Sequence, residues 1–313
     1  KGTTDFYGED AILRNEVRDN LRLIFERYGF LPLETPILEK LDLLTFKGGD
    51  EISKEIFQLT DQGKRSLGIR FDQTVPMTRY VAMNAHELKF PFKRYEIGPV
   101  FRDGPAQIEK GRYRVFTQCD VDVVGVASMS AEAEILALAR DVFQSLNLGE
   151  VNICINNRKL LEGFMDGAKV PKELRLKTIA TIDKRDKIGL EGVTSDLQAS
   201  SEEGCLFDYK TLVESVRTLS SNEETLGHAA DFALTSEQGK EGLAEIKQVL
   251  DFAKALNIPF VQFEPSLARG LTYYTGTTFE VFLKDKSVFS SAITAGGRYD
   301  KMIGSYLNEQ KDF

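Results

Sequence analysis

Residues 101–124, FRDGPAQIEKGRYRVFTQCDVDVV, constrain the fold more tightly than any other stretch. An apolar run ending in Val100 and Phe101 delivers Arg102, a polar loop follows with Arg112 and Arg114, and Phe116, Gln118, Asp120, Asp122 and Val124 then alternate. Alternation at period two marks a strand, because successive side chains point to opposite faces. Two antiparallel strands joined by an arginine-bearing loop are therefore expected. A half-buried strand ordinarily spends its inner face on aliphatic groups. Gln118, Asp120 and Asp122 in line imply either an edge strand with a wet face or a strand that faces a polar ligand. The arginines favour the second, since guanidinium forks held beside carboxylates suit a substrate with a cationic amine and an anionic phosphate.

The remaining segments supply a frame for that hairpin. Leu13, Val17, Leu21, Ile24, Phe25 and Tyr28 recur at helical spacing, and Gly29 is a natural C-terminal stop. Residues 32–39 read as extended, the IFQLTD end of residues 48–61 as a strand, and Leu67, Ile69 and Phe71 as one face of another, with Arg70 and Asp72 on its other face. Asp72 stands just before Thr74 and a helix with Pro76 in its first turn, so it is either a helix cap or a carboxylate able to hold an ammonium. Residues 130–148 predict a helix and 151–156 a short strand. From about residue 158 to 256 short helical patterns alternate with Gly, Ser, Asp and Lys clusters, before residues 259–265 return to strand. Strands recur without the regular strand-helix alternation of a parallel sheet, which points to an α+β fold.

Composition narrows the functional classes. With 313 residues, 42% of them apolar, the chain can build one large core plus a smaller unit. A formal charge of -8 argues against gripping nucleic acid by bulk electrostatics and leaves local basic patches for that task. Cys119, Cys154 and Cys205 are isolated, and His86 and His228 are the only histidines, so no clustered soft metal ligands are expected and the thiols fit a reducing, cytoplasm-like compartment. No run approaches the roughly 20 apolar residues that span a bilayer.

Arg102, its loop and GRYRVFTQCDVDVVG resemble motif 2 of the class II aminoacyl-tRNA synthetases, and specifically of the histidyl-tRNA synthetases. LARGLTYYTGTTFE at 267–280 and AGGRYD at 295–300 resemble that family's two histidine-specific motifs, in the family's order. The resemblance runs from residue 1 to about residue 305. It implies an antiparallel sheet flanked by helices with a helical insertion: residues 1–157 as the first part of the catalytic core with motifs 1 and 2, 158–256 as the insertion, and 257–313 as the second part of the core. The N-terminal helix and strand resemble motif 1, which builds a homodimer interface in the family, although an ordinary core helix and strand would show the same periodicity. In the family the insertion approaches the acceptor stem of tRNA. Lys169, Lys172, Arg175, Lys177, Lys184, Arg185 and Lys187 are the basic residues available for that here, or else a solvated charged surface.

The activity so implied is ATP-dependent conversion of L-histidine to histidyl-adenylate, followed by transfer to tRNA(His), in the cytoplasm. Attack of a carboxylate on the α-phosphate builds negative charge, so positioned cations rather than a covalent nucleophile should carry catalysis. By resemblance Arg102 and Arg269 flank that phosphate, Arg112 meets the outer phosphates, and Mg2+ bridges them. Asp72, Thr74 and Gln118 would hold the polar groups of the amino acid, while Asp122, Tyr273, Tyr274 and Tyr299 would read its imidazole. A buried carboxylate facing a ring N–H rejects amino acids that lack the donor. Gly104 stands where the family commonly has an acidic residue, with Asp103 one place early, and Thr272 stands where Asp is usual. The chain stops at Phe313, before motif 3 and any anticodon-binding domain, so a fragment that binds ATP poorly by itself is expected. Two relatives in kind are the synthetase-like regulatory subunit of ATP phosphoribosyltransferase and a non-catalytic tRNA-sensing domain. Retention of Arg102, Arg112 and Arg269 favours the synthetase.

Overall fold

Gly29 ends the first helix as its position implies. The structure is a computed structural model that describes residues 1–46, 53–108, 111–203, 207–258, 260–268, 273–307 and 313. Helix α1 (Glu9–Arg27) buries Leu21, Ile24 and Phe25 but leaves Leu13 in solvent, and Gly29 at φ +79° turns the chain back with Phe30 N–H donating to the Phe25 carbonyl. Two compact units follow from the packing: Lys1–Ser128 with Gln144–Asn147 and Asp300–Phe313, and Met129–Phe143 with Leu148–Tyr299.

In the first unit, the segment expected to be extended is interrupted. Strand β1 (Leu31–Pro32) and strand β2 (Leu38–Lys40) are separate because Thr35 turns aside, its N–H and hydroxyl both donating to the Glu96 carboxylate, and Pro36 has no N–H to offer a ladder. After helix α2 (Leu41–Thr45), strands β3 (Gln58–Thr60) and β4 (Ser66–Ile69) complete a small antiparallel sheet in the order β2-β4-β3. Helix α3 (Thr74–Asn84) carries Pro76 in its first turn, buries Val75, Met77 and Val81, and packs against a short helix at Met302–Tyr306.

Strands β5 (Phe92–Phe101) and β6 (Val115–Val124) form the expected antiparallel hairpin, with β1 added parallel to β5. One face is closed by α1: the Tyr95 ring lies 5.7 Å from that of Phe25, its hydroxyl donates to Glu26 Oε1 at 2.9 Å, and Arg14 donates to the Thr117 hydroxyl at 2.9 Å. Register puts Arg94, Glu96, Gly98 and Val100 on the other face, opposite Asp122, Asp120, Gln118 and Phe116 respectively. Arg70, expected on the far face of β4, reaches this row and is buried there: its Nη1 lies 2.5 Å from Glu96 Oε1, and it donates to the Thr35 and Pro99 carbonyls at 2.9 Å each.

The second unit is a four-stranded sheet in the order β10 (Thr294–Gly297), β9 (Thr277–Leu283), β7 (Val151–Asn157), β8 (Val261–Phe263), with β7 and β8 parallel and the rest antiparallel. Helix α4 (Ser130–Ser145) leads into β7. Residues 158–256 are helical throughout their described elements: α5 (Arg158–Gly167), α6 (Arg175–Ile182), α7 (Arg185–Glu203, broken at Gly189), α8 (Tyr209–Ser215), α9 (Asn222–Ala233) and α10 (Glu237–Ala255). Asn157, Asp208, Ser221 and Ser236 cap four of them by accepting from backbone N–H groups. Helices α5 and α10 touch backbone to backbone, since a Cβ on Gly163 would sit 2.4 Å from Gly239 Cα. The basic residues of this segment are not all available. Arg175 is spent on Glu162 and Asp166, and Arg185 on Glu264, whereas Lys169, Lys172, Lys177 and Lys184 are exposed.

The architecture is thus the expected α+β arrangement of mainly antiparallel sheets flanked by helices, with parallel pairings at β1–β5 and β7–β8. Its most exacting internal demand is the Arg70–Glu96 pair, both side chains almost wholly out of water. Glu96→Ala should lower stability by about 3–5 kcal/mol by leaving a buried guanidinium uncompensated. Urea unfolding midpoints measure this, and the paired change Arg70→Met with Glu96→Leu should recover most of the loss.

Candidate functional site

The polar face of the β5–β6 hairpin is a layer of charges held by one another. Arg94, fully buried, places Nη2 2.6 Å from Asp122 Oδ2 and Nη1 3.8 Å from Glu96 Oε2. Gln118 Nε2 donates to Asp120 Oδ2 at 2.7 Å. Gln73 Nε2 donates to the Gly98 carbonyl at 3.2 Å, and the Gln73 carbonyl accepts from Arg94. Gly98 is required by this layer, because a Cβ there would stand 2.5 Å from Arg70 Nη2 and 3.1 Å from Gln73 Nε2. β6 is an edge strand of the described three-stranded sheet, and Gln118, Asp120 and Asp122 on its polar face are half-buried among protein charges.

Asp72 joins the same layer. Its Oδ1 accepts from the Val75 N–H at 3.1 Å, which is the cap foreseen for it, yet it is buried and lies in the fields of Arg102 and Arg94. Burial pushes its carboxyl up to about 6, against the pull of those cations, and burial likewise pushes Asp120 up to about 7. Thr74, half-buried, begins α3 beside it.

Arg102 leaves the end of β5 with its Nε donating to the Phe71 carbonyl at 3.3 Å and its guanidinium carbon 5.0 Å from the centre of the Phe116 ring. Among the described residues no carboxylate pairs with it. Arg114, by contrast, pairs with Asp103 and lies over Phe57. Arg112 is exposed, on a loop closed by reciprocal backbone hydrogen bonds of 3.0 Å with Gln107.

The second unit gathers the three tyrosines. Tyr273 and Tyr274 have ring centres 4.8 Å apart, and Tyr273 meets Tyr299 edge to face at 6.3 Å. Gly297 makes room for them, since a Cβ there would be 2.8 Å from the Tyr274 ring. The neighbouring Arg298 is fixed by Glu132 at 2.9 Å. Arg269 and Thr272 lie outside the described residues. The segment leading to Arg269 is nevertheless anchored: Asn156, wholly buried, donates from Nδ2 to the Pro265 and Leu267 carbonyls at 2.9 and 2.8 Å.

The expected residues thus fall into two clusters, Asp72, Thr74, Arg102, Gln118 and Asp122 in one unit and the tyrosines in the other. Sequence reasoning missed Arg94, Glu96, Arg70 and Gln73 as parts of the first. A signal existed for two of them, because Arg94 and Glu96 alternate at period two in KRYEIGP in step with Asp120 and Asp122.

A family profile described as histidyl-tRNA synthetase matches residues 2–312. Histidine-tRNA ligase 1 of Bacillus cereus is 47% identical over 320 residues, covering 100% of this chain and 72% of its own length. The histidine-tRNA ligase of Clostridium tetani is 37% identical, covering 99% of this chain and 70% of its own. The crystal structure of histidyl-tRNA synthetase from Nostoc sp. superposes with a TM-score of 0.84 at 31% identity, covering 99% of this chain and 70% of that one. A Bacillus halodurans protein described as an ATP phosphoribosyltransferase regulatory subunit/histidyl-tRNA synthetase shares the fold, with a TM-score of 0.84 at 21% identity over 98% of this chain and 77% of its own.

The raised carboxyls have a measurable consequence. Between the ordinary 3.8 and about 6, folded Asp72 retains a proton that the unfolded chain has released, so its contribution to stability is greatest in acid and falls as pH rises through that window. Asp72→Asn removes the contribution. The thermal midpoint of the variant, relative to the parent, should climb between about pH 4 and pH 7 in a melting series.

Proposed function

The chain belongs to the histidyl-tRNA synthetase family, and from that premise we propose that it activates L-histidine with ATP to histidyl-adenylate, releases pyrophosphate, and passes the histidyl group to tRNA(His). The observation that carries the reading is the charge layer of the hairpin, in which carboxylates and a carboxamide stand beside Arg102, which forms no ion pair among the described residues. Asp72 and Gln118 take the α-ammonium, with Thr74 beside them, and Asp122, oriented by Arg94, accepts from the imidazole N–H. Tyr273, Tyr274 and Tyr299, which the family resemblance assigns to histidine, gather flat faces with polar tips within the second unit. Selectivity follows from the hydrogen bond to Asp122 that is lost when an amino acid lacks the ring donor, the carboxylate staying fixed by Arg94.

Arg102 meets the α-phosphate, held ready by the Phe71 carbonyl and the Phe116 ring so that little reorganisation accompanies the developing charge. Arg269, outside the described residues, keeps the phosphate-binding assignment that the sequence resemblance gives it. Arg112, exposed on its closed loop, takes the outer phosphates, where magnesium entering with the nucleotide would offset their charge. The relatives at 37–47% identity are named histidine-tRNA ligases, whereas the regulatory-subunit description comes with 21% identity and bears on the fold alone.

The partners and layout are part of the same proposal. Residues 158–256 serve as the helical insertion between residues 1–157 and 257–313 of the catalytic core, and exposed Lys169, Lys172, Lys177 and Lys184 give it a local attraction for tRNA phosphates despite the acidic chain. The protein acts in the cytoplasm as a homodimer, and the dimer is supported by the apolar side chains that α1, β1 and β2 leave uncovered, among them Leu13, Leu23, Leu31 and Leu38, each more than half exposed. No described helix is long and apolar enough to cross a membrane.

Histidine-dependent ATP–pyrophosphate exchange tests the activity, and Arg102→Ala should reduce its rate by about a hundredfold or more with a smaller change in histidine KM. Exchange undiminished in that variant, or driven equally by another amino acid, would refute the assignment. Sedimentation should find a dimer that Leu31→Glu, placing a charge on the uncovered face, converts to monomer.

A further inference from the structure

Asp120 has no part in the roles assigned above, yet it stands half-buried in the middle of the charge layer. Its neighbours on every side are charged or amide groups. Across the hairpin stand Arg94 and, directly opposite in register, Glu96, which is itself held by Arg70. Along its own strand are Gln118 and Asp122, and from the segment before α3 comes Asp72, in the field of Arg102. The opposite face of β6 carries Thr117, which accepts from Arg14 of α1, and Cys119, a thiol in the fields of Asp120, Arg18 and Arg14.

Gln118 is the group whose behaviour depends on this arrangement. A carboxamide presents a donor at one end and an acceptor at the other, and only its surroundings decide which end faces a ligand. Here Nε2 is bound to an Asp120 oxygen at 2.7 Å, which leaves the carboxamide oxygen as the end free to accept. An ionised Asp120 can only accept, so it enforces that orientation. A protonated Asp120 acquires an O–H donor, and Gln118 then gains by turning its oxygen inward and its NH2 outward, toward a cation that it repels.

Resting on the proposed amino-acid site, we propose that Asp120 is a positioning residue for substrate: ionised, it fixes the Gln118 carboxamide with its oxygen toward the α-ammonium of bound histidine, and protonated, it releases that carboxamide to the opposite orientation. The proton involved stays on the Asp120 carboxyl oxygen and no bond to substrate forms or breaks. Burial pushes the Asp120 carboxyl up to about 7, so the two orientations exchange within the range in which the protein can be studied. Binding of the cationic ammonium favours the ionised form and expels the proton.

Calorimetric titration of the chain with L-histidine from about pH 5.5 to pH 8.5, for the parent and Asp120→Asn, tests this, each variant first checked for a cooperative thermal transition. The ratio of the two dissociation constants cancels the titration of the ligand's own imidazole and α-amino groups. It should be about tenfold near pH 8.5, where only the parent holds Gln118 in the accepting orientation, and should approach one near pH 5.5. Gln118→Leu provides an independent reading should Asp120→Asn fold poorly, because losing the carboxamide should cost affinity at pH 8.5 and much less at pH 5.5. A ratio that stays constant with pH for both variants, while histidine still binds the parent, overturns the positioning role alone. Absence of histidine binding by the parent at every pH overturns the amino-acid site and this inference with it.

Discussion

The first unit depends on two guanidinium groups buried in the same sheet face, Arg94 against Asp122 and Arg70 against Glu96. Two cations cannot be taken out of water at this depth unless carboxylates and carbonyls meet them on most sides. That requirement explains features otherwise unrelated in sequence. Thr35 abandons the β1 ladder to reach Glu96, Gly98 lacks a side chain so that Arg70 can pass over it, and Gln73 divides its donors and acceptors between Gly98 and Arg94. A layer tied together this way resists rearrangement, which is the property a site needs if it is to meet a charged substrate without first reorganising.

Much of the fold was legible from period and punctuation. The alternation of residues 116–124 announces β6, the spacing from Leu13 to Tyr28 announces α1, and Gly29 marks its end. The extended reading of residues 32–39 failed in detail because its interruption is caused by Glu96, some sixty residues away, and no local pattern carries that information. The same limit hid Arg70. Its alternation with Phe71 predicts the side it occupies, but whether that side is wet or buried depends on the face of another sheet.

The site was legible in unequal parts. The residues carried by the motif resemblance, Gln118, Asp122, Arg102 and Asp72, do gather in one unit, and Tyr273, Tyr274 and Tyr299 gather in the other. What the motifs leave unmarked is the support beneath them: Arg94 aims Asp122, and Asp120 aims Gln118. The distinction between capping and binding at Asp72 also dissolves in three dimensions. One of its oxygens serves the start of α3 while the carboxylate as a whole sits in the field of two arginines, so the capping bond leaves room for the proposed ligand role.

Asn156 shows how far such support extends. Its amide reaches from the end of β7 to two carbonyls more than a hundred residues later, pinning the segment that precedes Arg269. An aspartate at 156 would be nearly the same size but would present oxygen to oxygen at both places. The lesion would therefore loosen the chain around Pro265 and Leu267, remote in sequence from the change yet in direct contact with it.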